Sequence, residues 1–405
     1  MKTSIGGRQQ PRILIGFADA ISAPEVVWSL IDSGFSVVVF QRKATSCSLR
    51  WSRFVEIIEI TAPEVSVLQC QEELVTVYKR HCFDAVLPLD DQALLVCSSL
   101  NKDGTLIPLA CADGANASFA LDKRLQIQVA VESGMDVPET HFIQSVDDLR
   151  IENIAYPVIF KPAMAARVSG NKVTRGKAYY CNDGNEMAQA VKVWNGQEPM
   201  LLQPILHGQG VGVFGIAKHG KALHLIGHSR IRMMNPHGSG SSACQSIEVV
   251  PTLAEQVRRF ISKAEWHGLF MVETLMDESE NYWFMELNGR PWGSMALARS
   301  CGFEYPSWTV QQKLGAELSP PPPENCSHKI CRNLGREIVH LIMVVRGPQS
   351  DAIQQWPSVT WTILRLLKWT PFQSWYSFRW SDPMVFVLDT LLTLKKQVFD
   401  KLRSR

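Results

Sequence analysis

The chain has 405 residues, with 41 Lys or Arg against 39 Asp or Glu. The net charge of +2 supplies none of the basic field that nucleic-acid binding requires, and the length calls for two or three domains. Ten cysteines stand singly with no C-x-x-C pair, which reads against a disulfide framework or thiolate zinc site and towards reduced thiols in a cytoplasmic protein.

The opening MKTSIGGRQQPR has no apolar stretch of the secretory kind, and no apolar run approaches the roughly 18 residues that span a bilayer, so a soluble protein is expected. From Arg12, RILIGFADA is a short apolar run. PEVVWSLIDSGF follows at helical spacing and SVVVFQRK as a second apolar run, together a β-α-β unit. FDAVLPLDDQALLVCSSL and TLIPLACAD repeat the pattern, so residues 1–113 are assigned to an N-terminal open parallel α/β domain. The first turn offers only Gly16 and not G-x-G-x-x-G, which disfavours a nicotinamide or flavin site.

DGANASFALDKRLQIQVAVESGMDVPET is expected as a helix stopped by Ser133 and Gly134, and YPVIFKP as a strand. Residues 114–315 form the central domain, with a hinge near 200–206. Residues 316–405 form a C-terminal helical extension that begins at the proline linker LSPPPPEN. In that extension Trp356, Trp361, Trp369, Trp375 and Trp380 lie among Leu, Arg and Lys. A helical cap on the body is the favoured reading, and weak peripheral membrane contact is the alternative.

GLFMVETLMDESENYWFMELNGRPWGS reads as a β-hairpin with its turn at DESEN. Centring the turn between Ser279 and Glu280 sets Glu273 opposite Glu286, Thr274 opposite Met285 and Leu275 opposite Phe284. Alternation then puts Asn288 on the face of Glu286, with Trp283, Met285 and Leu287 turned into the core. Facing carboxylates repel unless a cation compensates, and an oxygen-only donor set suits Mg²⁺ shared with phosphates. The competing reading is a pair of edge carboxylates splayed into solvent. Arg290, in the turn NGRPWGS, is placed to offset charge on a phosphoryl group, the alternative being a structural ion pair.

E-T-L-M followed by M-E-L-N-G-R-P-W-G-S resembles the metal-binding end of the ATP-grasp superfamily. That resemblance implies an ATP-grasp domain of two α+β subdomains and magnesium held by Glu273, Glu286 and Asn288. Upstream, LDKRLQIQ puts Lys123 near the nucleotide and YPVIFKPA makes Lys161 the phosphate-contacting lysine. MLLQPILHG resembles the adenine-binding hinge, with Gln203, Ile205 and Leu206. GQGVGVFG has Gly210 where many relatives place a ribose-binding Glu. GHSRIRMMNPHGSGSSACQSIEV resembles the carboxylate-amine ligase and carbamoyl-phosphate-synthase branch. It implies a substrate anion site from His228, Arg230, Ser239 and Ser241, joined by Ser294, with Arg232 sharing the strand face. AMAARVSGNKVTRGKAYY would be the loop closing over ATP, with Lys172 and Arg175 reaching the phosphates.

The resemblance implies an ATP-dependent ligase that uses Mg²⁺, or Mn²⁺ in its place. It would join a small-molecule carboxylate, an amino acid or natural-product intermediate, to an amine, with Arg290, Lys161 and Arg230 as catalytic residues. A bicarbonate-activating carboxylase or carbamoyl-phosphate-type enzyme, and a non-catalytic ATP-binding regulatory module, are the rivals.

Overall fold

The computed structural model describes residues 10–101, 107–149, 151, 154–236, 239–320, 326, 328–348, 356–368, 370 and 373–403. Part of the proline linker, Trp369 and the Ser239 side chain therefore lie outside the described residues.

Apolar runs without polar alternation make parallel strands buried on both faces. Here they form β1 (Arg12–Gly16), β2 (Ser36–Arg42) and β4 (Ala85–Pro88), with β3 (Glu56–Ile60) at the edge. Helices α1 (Ala23–Asp32), α2 (Val67–His81) and α3 (Asp91–Asn101) alternate with them. All pairings are parallel, in the order β3-β2-β1-β4, as the repeated β-α pattern predicts.

The single helix expected after residue 113 is two helices, α4 (Gly114–Leu121) and α5 (Lys123–Glu132). Asp122 is extended between them, and its carboxylate accepts the backbone N–H of Arg124 at 2.9 Å. Aspartate gains more as an N-cap than inside a helix. The break makes Lys123 the first residue of α5.

Antiparallel strands follow: β5 (His141–Ile143), β6 (Val158–Pro162), the small hairpin β7 (Arg167–Ser169) with β8 (Lys172–Thr174), and β9 (Tyr179–Cys181). Helix α6 (Gly184–Trp194) and strand β10 (Met200–Pro204) complete a sheet of order β5-β10-β6-β9. Phe160 and Trp194 meet edge to face in its core, with ring centroids 5.1 Å apart.

The larger sheet begins with β11 (Gln209–Lys218), β12 (Lys221–Asn235) and β13 (Ser239–Ile247). Helix α7 (Pro251–Lys263) then buries Leu253, Ala254, Val257, Phe260 and Ile261, a 3.6-residue stripe. Next come the hairpin β14 (Gly268–Met276) and β15 (Tyr282–Asn288), then α8 (Met295–Ser300) and α9 (Tyr305–Lys313). The C-terminal extension supplies β16 (Ile330–Arg332), α10 (Leu334–Arg346), α11 (Val359–Leu367), β17 (Gln373–Trp375) and α12 (Pro383–Arg403). It is helical as expected, and it also adds two strands to the sheet, whose order is β15-β14-β11-β12-β13-β16-β17.

The extension packs on the body. Asp382, just before α12, accepts from Trp28 Nε1 of α1 at 3.2 Å and from Ser52 Oγ at 2.6 Å. Trp356 donates to the Val344 carbonyl, whereas Trp361 and Trp380 are exposed. Among the described residues no helix is long and apolar enough to cross a membrane. The cysteines are all free, and only Cys82 and Cys301 are not fully buried.

Candidate nucleotide and metal site

The hairpin register sets Glu273 opposite Glu286 and Met271 opposite Asn288, as pairing across the turn predicts. Nearer the turn the prediction fails, because a bulge next to Glu273 pairs Thr274 with Phe284 and Leu275 with Trp283. The extra residue reverses parity for the tip of β15. Phe284 and Leu287 therefore enter the core, while Met285 turns to the cleft and Trp283 is half-buried, donating its Nε1–H to Asp277 at 2.9 Å.

Two neighbouring cavities share Lys161 as a wall. The smaller, about 240 Å³, is bounded by Asp91, Lys123, Lys161, Glu286, Asn288 and Arg290. The larger, about 830 Å³, runs from Lys161 past Gln203, Ile205 and Leu206 to Gly210, Arg230 and Glu273. The cleft thus lies between the β6/β10 sheet and the β14–β15 hairpin, with the strand after the hinge at one end.

Glu286 and Glu273 are each held by their own cation. Lys123 Nζ lies 2.5 Å from Glu286, and Arg230 lies 2.5 Å from Glu273. Lys123 is delivered by Gln126 one turn later in α5, whose buried amide both accepts from Leu287 N at 2.8 Å and donates to Leu287 O at 3.2 Å. The Lys123 charge holds the Glu286 carboxyl down at about 2 against its own burial. Burial disfavours the Lys123 ammonium, but the facing Glu286 outweighs it and raises its pKa. Lys161 has no such partner: among the described residues it makes no ion pair, and burial followed by repulsion from Lys123 lowers it to about 8. It is a cation waiting for an anion.

Gly210 is explained by its neighbour across the ladder. A Cβ there would lie 2.8 Å from Arg230 Cδ, because the Arg230 side chain crosses β11 at this glycine to reach Glu273 on β14. Gly212 gives the same clearance to His228, whose Nε2 would be 2.7 Å from a Cβ.

Several expected residues are engaged elsewhere. His228 is buried, shares a 2.7 Å hydrogen bond with Ser294 through Nδ1, and borders neither cavity. Burial, then the Arg230 charge, lowers its pKa to about 3, so it is neutral. His228 and Ser294 thus form an internal pair near Phe214 and Trp292, while the buried Nε2 of His228 has no hydrogen-bond partner among the described residues. Ser241 spends its hydroxyl on the backbone carbonyl of Ala243 at 3.1 Å and also lies outside the cleft. Arg232 does not continue the face of Arg230, because bulges flank it in the β12–β13 register and it pairs with buried Glu337. Gln203 donates its amide to Thr140 Oγ1 at 2.7 Å, which fixes its orientation at the cleft wall.

Arg290 reaches the cleft as half of an ion pair, with Nε 2.9 Å and an Nη 3.0 Å from the two oxygens of Asp91. Burial opposes both charges, but each partner overrides it, raising Arg290 and lowering Asp91. Asp91 is the cleft residue that sequence reasoning missed. Its signal was the acid pair in LPLDDQALL, placed where β4 ends and α3 begins. Arg175 also borders the small cavity, 3.4 Å from Asp91, whereas Lys172 is exposed and borders neither. The segment expected to close over ATP is docked: the Asn171 backbone carbonyl accepts from Val67 N at 2.9 Å, and its side chain bonds the start of α2.

No group of three or more His, Cys, Asp or Glu among the described residues is arranged for a metal. Two ionisable carboxylates and the buried amide of Asn288, all oxygen donors on one side of the hairpin, nevertheless fit a hard cation that keeps part of its shell for phosphates and water.

This arrangement of an open α/β domain, two α+β subdomains and a cleft between them is the ATP-grasp fold. A family model described as ATP-grasp in the biosynthetic pathway with Ter operon matches residues 196–331, the stretch from just before the hinge through the hairpin to β16. Among solved structures, the biotin carboxylase domain of Hydrogenobacter thermophilus 2-oxoglutarate carboxylase, in complex with MgADP, ADP and bicarbonate, is similar. It has 15% identity, TM-score 0.60, and coverage of 80% of this chain and 74% of that one. The L-amino acid ligase of Bacillus licheniformis gives 14%, 0.59, 80% and 78%. An N5-carboxyaminoimidazole ribonucleotide synthetase in its ADP complex gives 12%, 0.61, 89% and 97%. No curated protein sequence matches the chain.

Proposed function

We propose that the protein is an ATP-dependent ligase that activates a small-molecule carboxylate as an acyl phosphate and passes the acyl group to an amine. The observation that carries the reading is the pairing of Glu273 with Glu286 on one wall of a cleft whose other walls include Lys123, Lys161 and Arg290. Negative ligands on one side and cations on the other suit a metal-bound polyphosphate.

Glu273, Glu286 and Asn288 would hold Mg²⁺, which supplies charge neutralisation to the phosphates when bound. Lys161 and Lys123 bind phosphate oxygens, and Lys123 exchanges its Glu286 contact for them. Ile205 and Leu206 line the hinge end of the cleft that would take the base, and Gln203, oriented by Thr140, would offer it a polar contact. Arg230 holds Glu273 in the free protein and can turn to the acid without leaving the cleft. A carboxylate oxygen attacks the γ-phosphorus as its bond to the β,γ-bridging oxygen breaks, giving ADP and acyl phosphate. The amine then attacks the acyl carbon, phosphate leaves, and the amine proton goes to solvent. Positioning and charge compensation carry such transfers, so no nucleophilic side chain is required.

The test is a screen of acid and amine pairs for Mg²⁺-dependent ADP release, followed by ¹⁸O-labelling of the active acid. Label appearing in the released phosphate is the expected result. ADP release with unlabelled phosphate contradicts acyl-phosphate formation, and carboxylation of the amine from labelled bicarbonate supports the bicarbonate rival instead.

A further inference from the structure

The tryptophan-rich stretch of the C-terminal extension takes no part in the nucleotide cleft, and no residue of α11 borders either of its cavities. A helix lying on a folded body turns its apolar face inward and its polar face to water. Helix α11 does the reverse. Of its 9 residues only Thr362 is buried, with Leu366 half-buried one turn later. On the side away from these two stand Trp361, Leu364 and Leu367, which are 66%, 54% and 77% exposed. Burial of such side chains is what ordinarily holds a helix in place.

The helix is nonetheless anchored. Arg332 of β16 donates to the Leu366 carbonyl at 2.8 Å and grips Glu337 of α10 with the same nitrogen at 2.8 Å. Trp356, ahead of α11, donates its indole N–H to the Val344 carbonyl of α10 at 3.0 Å, and α10 packs against α11. These ties keep Thr362 and Leu366 towards the body and the apolar face outward.

The charge around that face has one sign. From Ala352 to Ser381 the sequence has Arg365, Lys368 and Arg379 and no acid. Arg379 is taken by Asp32 at 2.7 Å, whereas Arg365 and Lys368 are exposed and make no ion pair among the described residues. Spacings of three and four residues join Trp361 to Leu364 and Arg365, and Leu364 to Leu367 and Lys368. Apolar chains, a tryptophan and cations on one helix face suit the interface of an anionic bilayer, with the ring and aliphatic groups below the headgroups and the cations among the phosphates. A second copy docked on the same face would set Arg365 and Lys368 against like charges.

We infer that α11 is a peripheral membrane anchor, which lays Trp361, Leu364 and Leu367 into the surface of a bilayer containing anionic lipids, with Arg365 and Lys368 on the headgroups. A helix of this length lies on a bilayer and does not cross it, and the attachment it gives is weak and reversible.

The experiment floats the full chain with vesicles of phosphatidylcholine alone and with vesicles that also contain phosphatidylserine. Binding to the anionic vesicles is expected, severalfold tighter than to the neutral ones and weakened by added salt. Leu367→Glu should lower it about tenfold or more, and Lys368→Glu severalfold. Both side chains are exposed, so either variant tests the face with the core intact. Absence of binding to the anionic vesicles overturns the inference, as does binding that both variants leave unchanged. Self-association in vesicle-free buffer that Leu367→Glu abolishes would assign the face to a second copy and overturn it too. ADP affinity should be equal in the native chain and both variants, so the outcome is independent of the ligase reading.

Discussion

Strands β12 and β15 belong to one sheet and carry polar side chains at the same two-residue spacing, yet they use them differently. On β15 both Glu286 and Asn288 reach the cleft. On β12 only Arg230 does, while His228 is sealed against Ser294 and Arg232 is taken by Glu337 of α10. Alternation fixes the face a side chain occupies until a bulge intervenes, as it does at Arg232, and segments arriving later in the chain decide whether that face meets solvent, substrate or core. The same spacing therefore yields a ligand set on one strand and internal pairs on the other.

The largest expected effect falls on β15. Glu286→Gln keeps the shape but removes the charge, and ADP formation at saturating ATP is expected to drop about 10²-fold or more, the scale for losing one preorganised electrostatic contact. Circular dichroism should be unchanged. Near-normal turnover would erase the distinction between the two strands.

Arg290 sharpens it from the stability side. Arg290→Met leaves the buried Asp91 carboxylate with only the exposed Arg175 and is expected to cost about 3 kcal/mol in urea unfolding, with most of it recovered by adding Asp91→Leu. If the single variant loses turnover but not stability, Arg290 serves the reaction and not the fold.

The glycines beside β12 give a smaller, graded effect. Gly212→Ala drives a Cβ into the locked His228 ring and is expected to cost about 1–3 kcal/mol. Gly210→Ala meets the flexible Arg230 side chain, so its stability loss should be less and its main result a severalfold rise in the KM for ATP. Equal stability losses would mean that His228 is free to move.

The smallest expected effect is one of pH. Below its pKa of about 8 Lys161 is charged and attracts phosphate, and above it the amine is neutral, so kcat/KM for ATP should fall severalfold as pH rises through about 8. Lys161→Arg, which keeps its charge, should move that fall to higher pH. A profile flat from pH 7 to 9 would remove Lys161 from phosphate binding.

Much of this was legible in the sequence because it rests on local period. Apolar runs named the parallel strands, and the turn DESEN set Glu273 against Glu286. What was not legible depends on one added residue or on a distant partner. The bulge that turns Met285 outward leaves no mark in composition, and Asp122 reads as helix until its capping bond is seen. Arg290 needed Asp91, and Arg232 needed Glu337, each far off in the chain. Gly210, which resembles a missing ribose contact, also gives the clearance that lets Arg230 reach Glu273.

The most direct test of the cleft is calorimetric titration of ADP with and without Mg²⁺, in the native chain and in Glu273→Gln and Glu286→Gln. Binding that tightens with Mg²⁺ in the native protein and loses that dependence in both variants is the expected result. Binding indifferent to Mg²⁺, or a dependence that survives both substitutions, would contradict the assignment of the facing carboxylates to a metal-nucleotide site.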